Sequence, residues 1–229
     1  MALRLCVLCF LMGISAGALA QGSQDYTGNW FMANGINRVH NRWSVHTEFQ
    51  WRMFRTTSDV EQMLARTGIN YHLTRDITFT GGYAYIGNYA FGEDDNTRIS
   101  QENRAWQQVN LRHDMNHLVI ESRLRIEQRW IGDRYLDRIR HRVLLSYRLN
   151  GHKKLVRRAW SAILSDEIFI HATGNPSFDR NRLYLAIGCH VIPELQFQAG
   201  YLRQAVPGFS KNHLQFGVFW NLDFRKKAG

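Results

Sequence analysis

The chain has 229 residues, room for one large domain or two small ones. It is 45% hydrophobic, 13% aromatic and 21% charged, which excludes wholesale disorder. The formal net charge is +10, and 24 of the 29 basic residues are arginine. A basic, aromatic-rich chain invites a nucleic-acid reading, which only the placement of the arginines can decide.

Residues 1–20 carry one positive charge, Arg4, then an uncharged apolar run from Leu5 to Ile14, then small residues ending in Ala18-Leu19-Ala20. That layout is expected of a cleaved secretory signal with an A-x-A site, and the apolar run is too short to span a bilayer as a helix. Cys6-x-x-Cys9 falls inside it, and neither cysteine sits where a lipoprotein cysteine would. The remaining chain, 21–229, keeps one thiol, Cys189, so it can form no internal disulfide.

From there the hydrophobic period is two. In 42–53, Trp43, Val45, Thr47, Phe49 and Trp51 alternate with Ser44, His46, Glu48, Gln50 and Arg52. Segments 28–38, 61–73, 77–88, 103–113, 117–130, 137–149, 159–172, 180–190, 195–203 and 212–224 repeat the pattern. Successive side chains of a strand point to opposite faces, so each segment is predicted to be a strand with one apolar and one polar face. Most are long enough for a tilted strand to cross a bilayer, which takes about 9–11 residues. Tight connections near 40–41, 74–76, 114–116 and 193–194 alternate with longer polar ones near 54–60, 89–102, 131–136, 173–179 and 204–211.

The whole of 21–229 therefore reads as one all-β domain: a closed, antiparallel, up-and-down transmembrane barrel with an Arg/Glu-rich lumen. Its address is the outer membrane of a Gram-negative bacterium, its surroundings lipid and lipopolysaccharide. Eleven segments conflict with the even strand number of bacterial single-chain barrels. Ten strands are expected if 28–38 lies outside the wall, twelve if one has escaped notice; alternatively the N-terminal residues thread the lumen.

Alternation alone would also suit a soluble barrel with its apolar face inside, holding an apolar ligand. Against that, the polar face is unusually rich in arginine: Arg42, Arg52, Arg66, Arg104, Arg112, Arg123, Arg125, Arg129, Arg138, Arg140, Arg142, Arg148 and Arg182. A solvated surface would favour lysine and glutamate. Aromatics of the apolar face (Trp43, Trp51, Tyr71, Tyr85, Trp130, Tyr147, Trp160, Tyr201 and Trp220) fall towards strand ends, as interfacial girdles do. The last strand closes on Phe224, resembling the aromatic C-terminal strand that barrel-assembly machinery recognises, although the tail 225–229 follows it.

Four blocks carry a family resemblance: Arg104-Ala-Trp106-Gln107-Gln108, Arg125-Ile-Glu127-Gln128-Arg129-Trp130, Asp166-Glu167-Ile168-Phe169 and Phe178-Asp179-Arg-Asn181-Arg182-Leu183-Tyr184. Together they resemble domain-of-unknown-function family 2490, over essentially the whole chain after residue 20. The resemblance implies an exported, barrel-like bacterial protein and offers no catalytic residues to carry over.

Glu48, Glu121, Glu127 and Asp223 share the polar face with the arginines, and a bulge on its strand would add Glu167. Charges in a narrow lumen must pair, and the planar guanidinium can pair with two acids or two strands at once. The expected charge network contains Glu48, Arg66, Arg104, Glu121, Arg123, Arg125, Glu127, Arg129, Arg140, Arg142, Glu167 and Arg182. It serves either as structural filling or as the lining of a narrow anion-leaning channel.

Asp166 falls on the apolar face, and a bulge is expected to turn Asp166 or Glu167 inward. Ser44, His46 and Glu48 share a strand face and offer a serine–histidine–acid set for a lipid-modifying hydrolase or acyltransferase, although residues two apart on a strand are too distant for a direct serine–histidine bond. No enzyme is the main expectation. His190, His213 and Cys189 make a poor metal site because Cys189 lies on the apolar face. The acidic Glu93-Asp94-Asp95-Asn96 lacks the spacing of a calcium loop, and Asn175-Pro176-Ser177 is barred from N-glycosylation by its proline. No cofactor is expected. Without a phosphate loop or recognition helix, and with export, nucleic-acid binding is not expected either.

Overall fold

A computed structural model describes residues 23–55, 59–91, 97–150 and 157–225. Residues 1–20, where a cleaved signal is expected, with their two cysteines, and the acidic cluster 93–96 lie outside the described residues. The described chain forms β1 (Ser23–Arg38), β2 (Trp43–Met53), β3 (Val60–His72), β4 (Ile77–Tyr89), β5 (Arg98–Met115), β6 (Leu118–Ile131), β7 (Arg134–Arg148), β8 (Ala159–His171), β9 (Ser177–Ile192), β10 (Leu195–Val206) and β11 (Phe209–Asp223). Each strand pairs with its sequence neighbours, and β1 closes on β11 to make one barrel.

The barrel has eleven strands, which corrects the expectation of ten or twelve. β1 belongs to the wall: it pairs antiparallel with β2 from Trp30↔Arg52 to Arg38↔Ser44 and parallel with β11 from Thr27↔Asn212 to Arg38↔Asp223. Neither the omission of this segment nor its threading through the lumen survives. An odd number of up-and-down strands forces one parallel pair at closure, and β1–β11 is that pair. The description of the barrel as wholly antiparallel fails at this seam alone.

The expected contrast between a tight end and a loopy end is also corrected. β6 joins β7 through 132–133 and β10 joins β11 through 207–208, while the longest connection, 149–158, lies at the other end. The strands run further than their alternation suggested because the turn residues bend sharply. Gly132 and Gly208 have φ of 55° and 88°, the left-handed conformation that tight hairpin turns require.

Side chains sort by parity along the strands, with a register shift at Asp179 near the start of β9. On β2, Ser44, His46, Glu48 and Gln50 are buried inside, while Trp43, Phe49 and Trp51 are exposed outside. Outer aromatics gather at two levels. Trp43, Tyr147 and Trp160 lie near one end of their strands, and Trp51, Tyr85, Trp130, Tyr135 and Phe178 near the other. Tyr71 packs on Trp43 with ring centroids 4.8 Å apart.

Inside, the largest side chains sit over glycine. Gly68, Gly82 and Trp106 are neighbours across β3, β4 and β5. A Cβ on Gly82 would lie 2.7 Å from the Trp106 ring, and one on Gly68 2.9 Å from it. The two glycines leave the space the indole fills.

Candidate functional site: the arginine-lined lumen

Register brings the charges of the inner face together. Glu127 on β6 is opposite Trp106 on β5 and Arg138 on β7, and Arg125 is opposite Arg140. Glu127 has no exposed surface and becomes the centre of the network. Arg138 donates to its Oε2 from Nε and Nη2 at 2.9 and 2.6 Å, and Arg140 Nη1 donates to Oε1 at 2.6 Å. Arg104 and Arg125 complete the shell at 3.3 and 3.7 Å. One carboxylate thus faces four guanidinium groups.

Further acids extend the network around the wall. Glu102 accepts from Arg104 at 2.6 and 2.8 Å and from Arg129 at 2.7 and 3.0 Å. Glu167 accepts from Arg123 at 2.5 Å and from Arg140 at 2.8 and 3.1 Å. Asp179 lies 3.1 Å from Arg138 and 3.0 Å from Arg180. On β2, Glu48 accepts from Arg66 at 3.0 Å and also contacts Gln50. Glu121, nearer one mouth, accepts from Arg112 at 2.6 Å and lies 3.9 Å from Arg142. Arg125 is seated by Gln108 Oε1 at 2.6 and 2.8 Å and lies 4.5 Å from the centre of the Trp106 ring. Arginine rather than lysine does this because its fork spans two acceptors on neighbouring strands.

All twelve residues named for the charge network face the interior. Of the thirteen arginines assigned to the polar face, twelve line the cavity. Arg42 does not: it sits in the β1–β2 turn and donates to the outer Tyr71 hydroxyl at 3.3 Å. Asp223 is at the exposed end of β11, paired with Arg225 at 2.6 Å rather than with the lumen.

Glu167 reaches the interior without a bulge, since the β7–β8 register runs unbroken from Arg138↔His171 to Arg148↔Ser161. Asp166 stays outside and accepts from Asn181 at 2.6 Å. It belongs to a sparse row of paired polar groups on the outer wall, with Ser122–His141 at 3.1 Å and Gln107–Gln128 at 3.2 Å.

The network holds two acids beyond the expected set, Glu102 and Asp179, both in polar stretches whose pattern reads as loop. Extending the alternation of β5 back from Arg104 would have found Glu102.

Ser44, His46 and Glu48 do not assemble a relay. Ser44 Oγ is 2.8 Å from His72 Nε2 and accepts from Asn70 at 2.9 Å, while His46 turns to Glu48 at 3.2 Å. His190 and His213 are buried on the inner face, Cys189 has the opposite parity, and no metal-binding cluster of histidine, cysteine and acids occurs among the described residues.

The groups enclose a cavity of about 840 Å³. Its lining runs from Gln62, Asn88 and Ser100 near one end to His72, Arg75 and Asp76 near the other. Fifteen arginines and five carboxylates line it, and Glu127 and Asp179, packed against those arginines, add two further acids, an excess of about two to one.

The model of the family "Protein of unknown function (DUF2490)" matches residues 27–215, nearly the whole barrel wall. The chain belongs to this family. This member of the family is a closed barrel with arginine and glutamate networked in its interior. An uncharacterised protein of Methylorubrum extorquens is 24% identical over 205 residues, covering 86% of this chain and 87% of its own. No solved structure matches the chain.

Proposed function

We propose that this DUF2490 protein is an outer-membrane barrel of a Gram-negative bacterium whose lumen is a narrow, anion-leaning channel braced by ion pairs. The observation that carries the reading is the charge imbalance of the interior, fifteen lining arginines to seven carboxylates with Glu127 and Asp179 counted, around one cavity. Each acid is already engaged by arginine where the network is deepest, so an entering anion meets uncommitted guanidinium edges and few repelling carboxylates. Arginine-lined constrictions favour anions and phosphates. The two levels of outer aromatics support the membrane setting, because Trp and Tyr concentrate at both interfaces of a bilayer. In that setting the outer wall meets lipid and lipopolysaccharide, and Phe224 at the end of β11 serves recognition by the assembly machinery.

The dense pairing limits what can pass. The Glu127 and Glu102 clusters join the neighbouring strands β5, β6 and β7 along the inner wall and fill part of the bore, so small solutes are expected to move along the remaining cavity and folded chains are not. The test is flotation of the native protein with membranes, followed by planar-bilayer recording of the purified barrel under a salt gradient. The expected result is small single-channel currents with a reversal potential on the anion side. No current, or cation preference, refutes the channel; recovery in the soluble periplasmic fraction refutes the membrane setting.

A further inference from the structure

Acids from β2, β5, β6, β8 and β9 all take part in the charge network. Two arginines on the cavity wall formed by β1, β2 and β9 are of a different kind. Arg52 and Arg182 lie with their Cζ atoms 3.7 and 4.9 Å from the centre of the Trp30 ring. Neither makes an ion pair among the described residues. Arg182 donates through Nε to Gln204 Oε1 at 2.8 Å, and Arg52 donates through Nη2 to Gln50 Oε1 at 2.5 Å. The buried Nε of Arg52 and Nε1 of Trp30 have no acceptor at all. Buried donors without acceptors are costly, by about 1–3 kcal/mol each and more where charge is involved. Two guanidinium groups sharing one aromatic ring, with donors left over, form a seat for an oxyanion.

The same ring begins an apolar wall. Trp30 packs in one buried cluster with Ile163, Tyr184 and Leu202, and Met32 and Leu144 extend that cluster along the cavity. These are inner-face positions of β1, β7, β8, β9 and β10, next to the charged side of the lumen. A free inorganic ion would engage the arginines and leave this wall uncovered. A neutral lipid would cover the wall and leave the donors unpaired. A single ligand satisfies both, and about 840 Å³ lies within the usual size of a small-molecule cavity.

We propose that the lumen holds an amphipathic organic anion, its oxyanion head between Arg52 and Arg182 at Trp30 and its apolar chain or ring against Met32, Leu144 and Leu202. This deepens the anion-leaning reading of the same cavity and rests on it only for access from the mouths. A carboxylate or a phosphate monoester supplies the required head equally well.

The test uses the barrel in nanodiscs of neutral phospholipid and measures binding of octyl phosphate, inorganic phosphate and octanol by calorimetry. Octyl phosphate is expected to bind at least tenfold more tightly than either fragment. Arg182→Gln and Arg52→Gln are each expected to weaken it tenfold or more, and Arg182→Lys to weaken it less than Arg182→Gln. Folding of each variant is checked by heat-modifiable gel mobility; if a glutamine variant does not fold, the order of the three probes on the unmodified barrel still decides. Equal affinity for octyl phosphate and inorganic phosphate overturns the inference and leaves an anion-leaning lumen intact. Equal affinity for octyl phosphate and octanol overturns it as well. Tight octyl phosphate binding without bilayer current supports the inference while refuting the channel.

Discussion

Glu127→Gln is the most informative single substitution in the barrel. The amide keeps the volume of the carboxylate and removes its charge from a site with no solvent exposure. Arg138 and Arg140 approach it at 2.6 Å, Arg104 at 3.3 Å and Arg125 at 3.7 Å. At an effective dielectric of about 20, each pair near 4 Å is worth roughly 4 kcal/mol of Coulomb energy. Three of the four arginines keep a second acid: Arg104 keeps Glu102, Arg138 keeps Asp179 and Arg140 keeps Glu167. Arg125 keeps only the neutral Gln108. The cost therefore falls mainly on Arg125, and relief from desolvating the carboxylate offsets part of it. A net loss of about 3–5 kcal/mol is expected, as for other broken buried pairs. Urea unfolding in liposomes, followed by tryptophan fluorescence, measures it. Adding Arg125→Gln to Glu127→Gln should recover about 1 kcal/mol or more, because the stranded charge is then gone. A loss below about 1 kcal/mol, or no recovery in the double variant, refutes the view that Glu127 neutralises this cluster.

Three further outcomes follow from particular contacts. Gly82→Ala would place a Cβ 2.2 Å from the Thr67 carbonyl and 2.7 Å from the Trp106 ring, so it should destabilise the barrel by about 1–3 kcal/mol in the same assay, and a neutral effect would mean the indole does not lie there. Ala33→Cys with Val218→Cys, in a Cys189→Ala background, should form a disulfide on oxidation, because the two positions are register partners across the parallel seam; failure to cross-link in the folded protein would reject the closure of β1 on β11. Asp166→Ala with Asn181→Ala removes a hydrogen-bonded pair from the outer wall. If that wall faces lipid, the double variant should be at least as stable as the parent in bilayers, and a loss above about 2 kcal/mol would place water or protein against that face instead.

The parity of the strands was legible in the sequence because alternation reports directly which side chains share a face. That is why Glu48, Arg66, Arg125, Glu127 and Arg140 could be assigned to one interior before any pairing was known. Strand ends were less legible: Glu102 follows the alternation of β5 but lies in a polar stretch that reads as loop, and Asp179 faces inward only through a register shift between Phe178 and Arg180 on β9. Ser44 and His46 show a different limit. Two residues on one strand face compete for partners across the sheet, and Ser44 found His72 on β3, a pairing set by register rather than by spacing along the chain. The excess of arginine over acid on the polar face was legible in the sequence, but which arginine meets which acid depends on the register between strands, which no local pattern encodes.

The strand count is where local pattern and closure part most clearly. Eleven alternating segments are present in the chain, yet nothing in alternation says whether the first and last can pair in parallel. A parallel ladder is slightly weaker per residue, so this seam needs side-chain support on both faces. Outside, Phe31 stacks on Phe216 with centroids 5.6 Å apart; inside, Trp30 meets His213 edge-on at 6.1 Å. β1 and β11 run in the same direction and β2 runs against both, so a barrel without β1 could close β2 on β11 in the ordinary antiparallel way with ten strands. What such a barrel would lack is Trp30 and Met32, the ring that seats Arg52 and Arg182 and the start of the apolar wall. The strand that makes the count odd is thus the one that gives the cavity its aromatic floor, which supplies a physical reason for keeping a weaker seam.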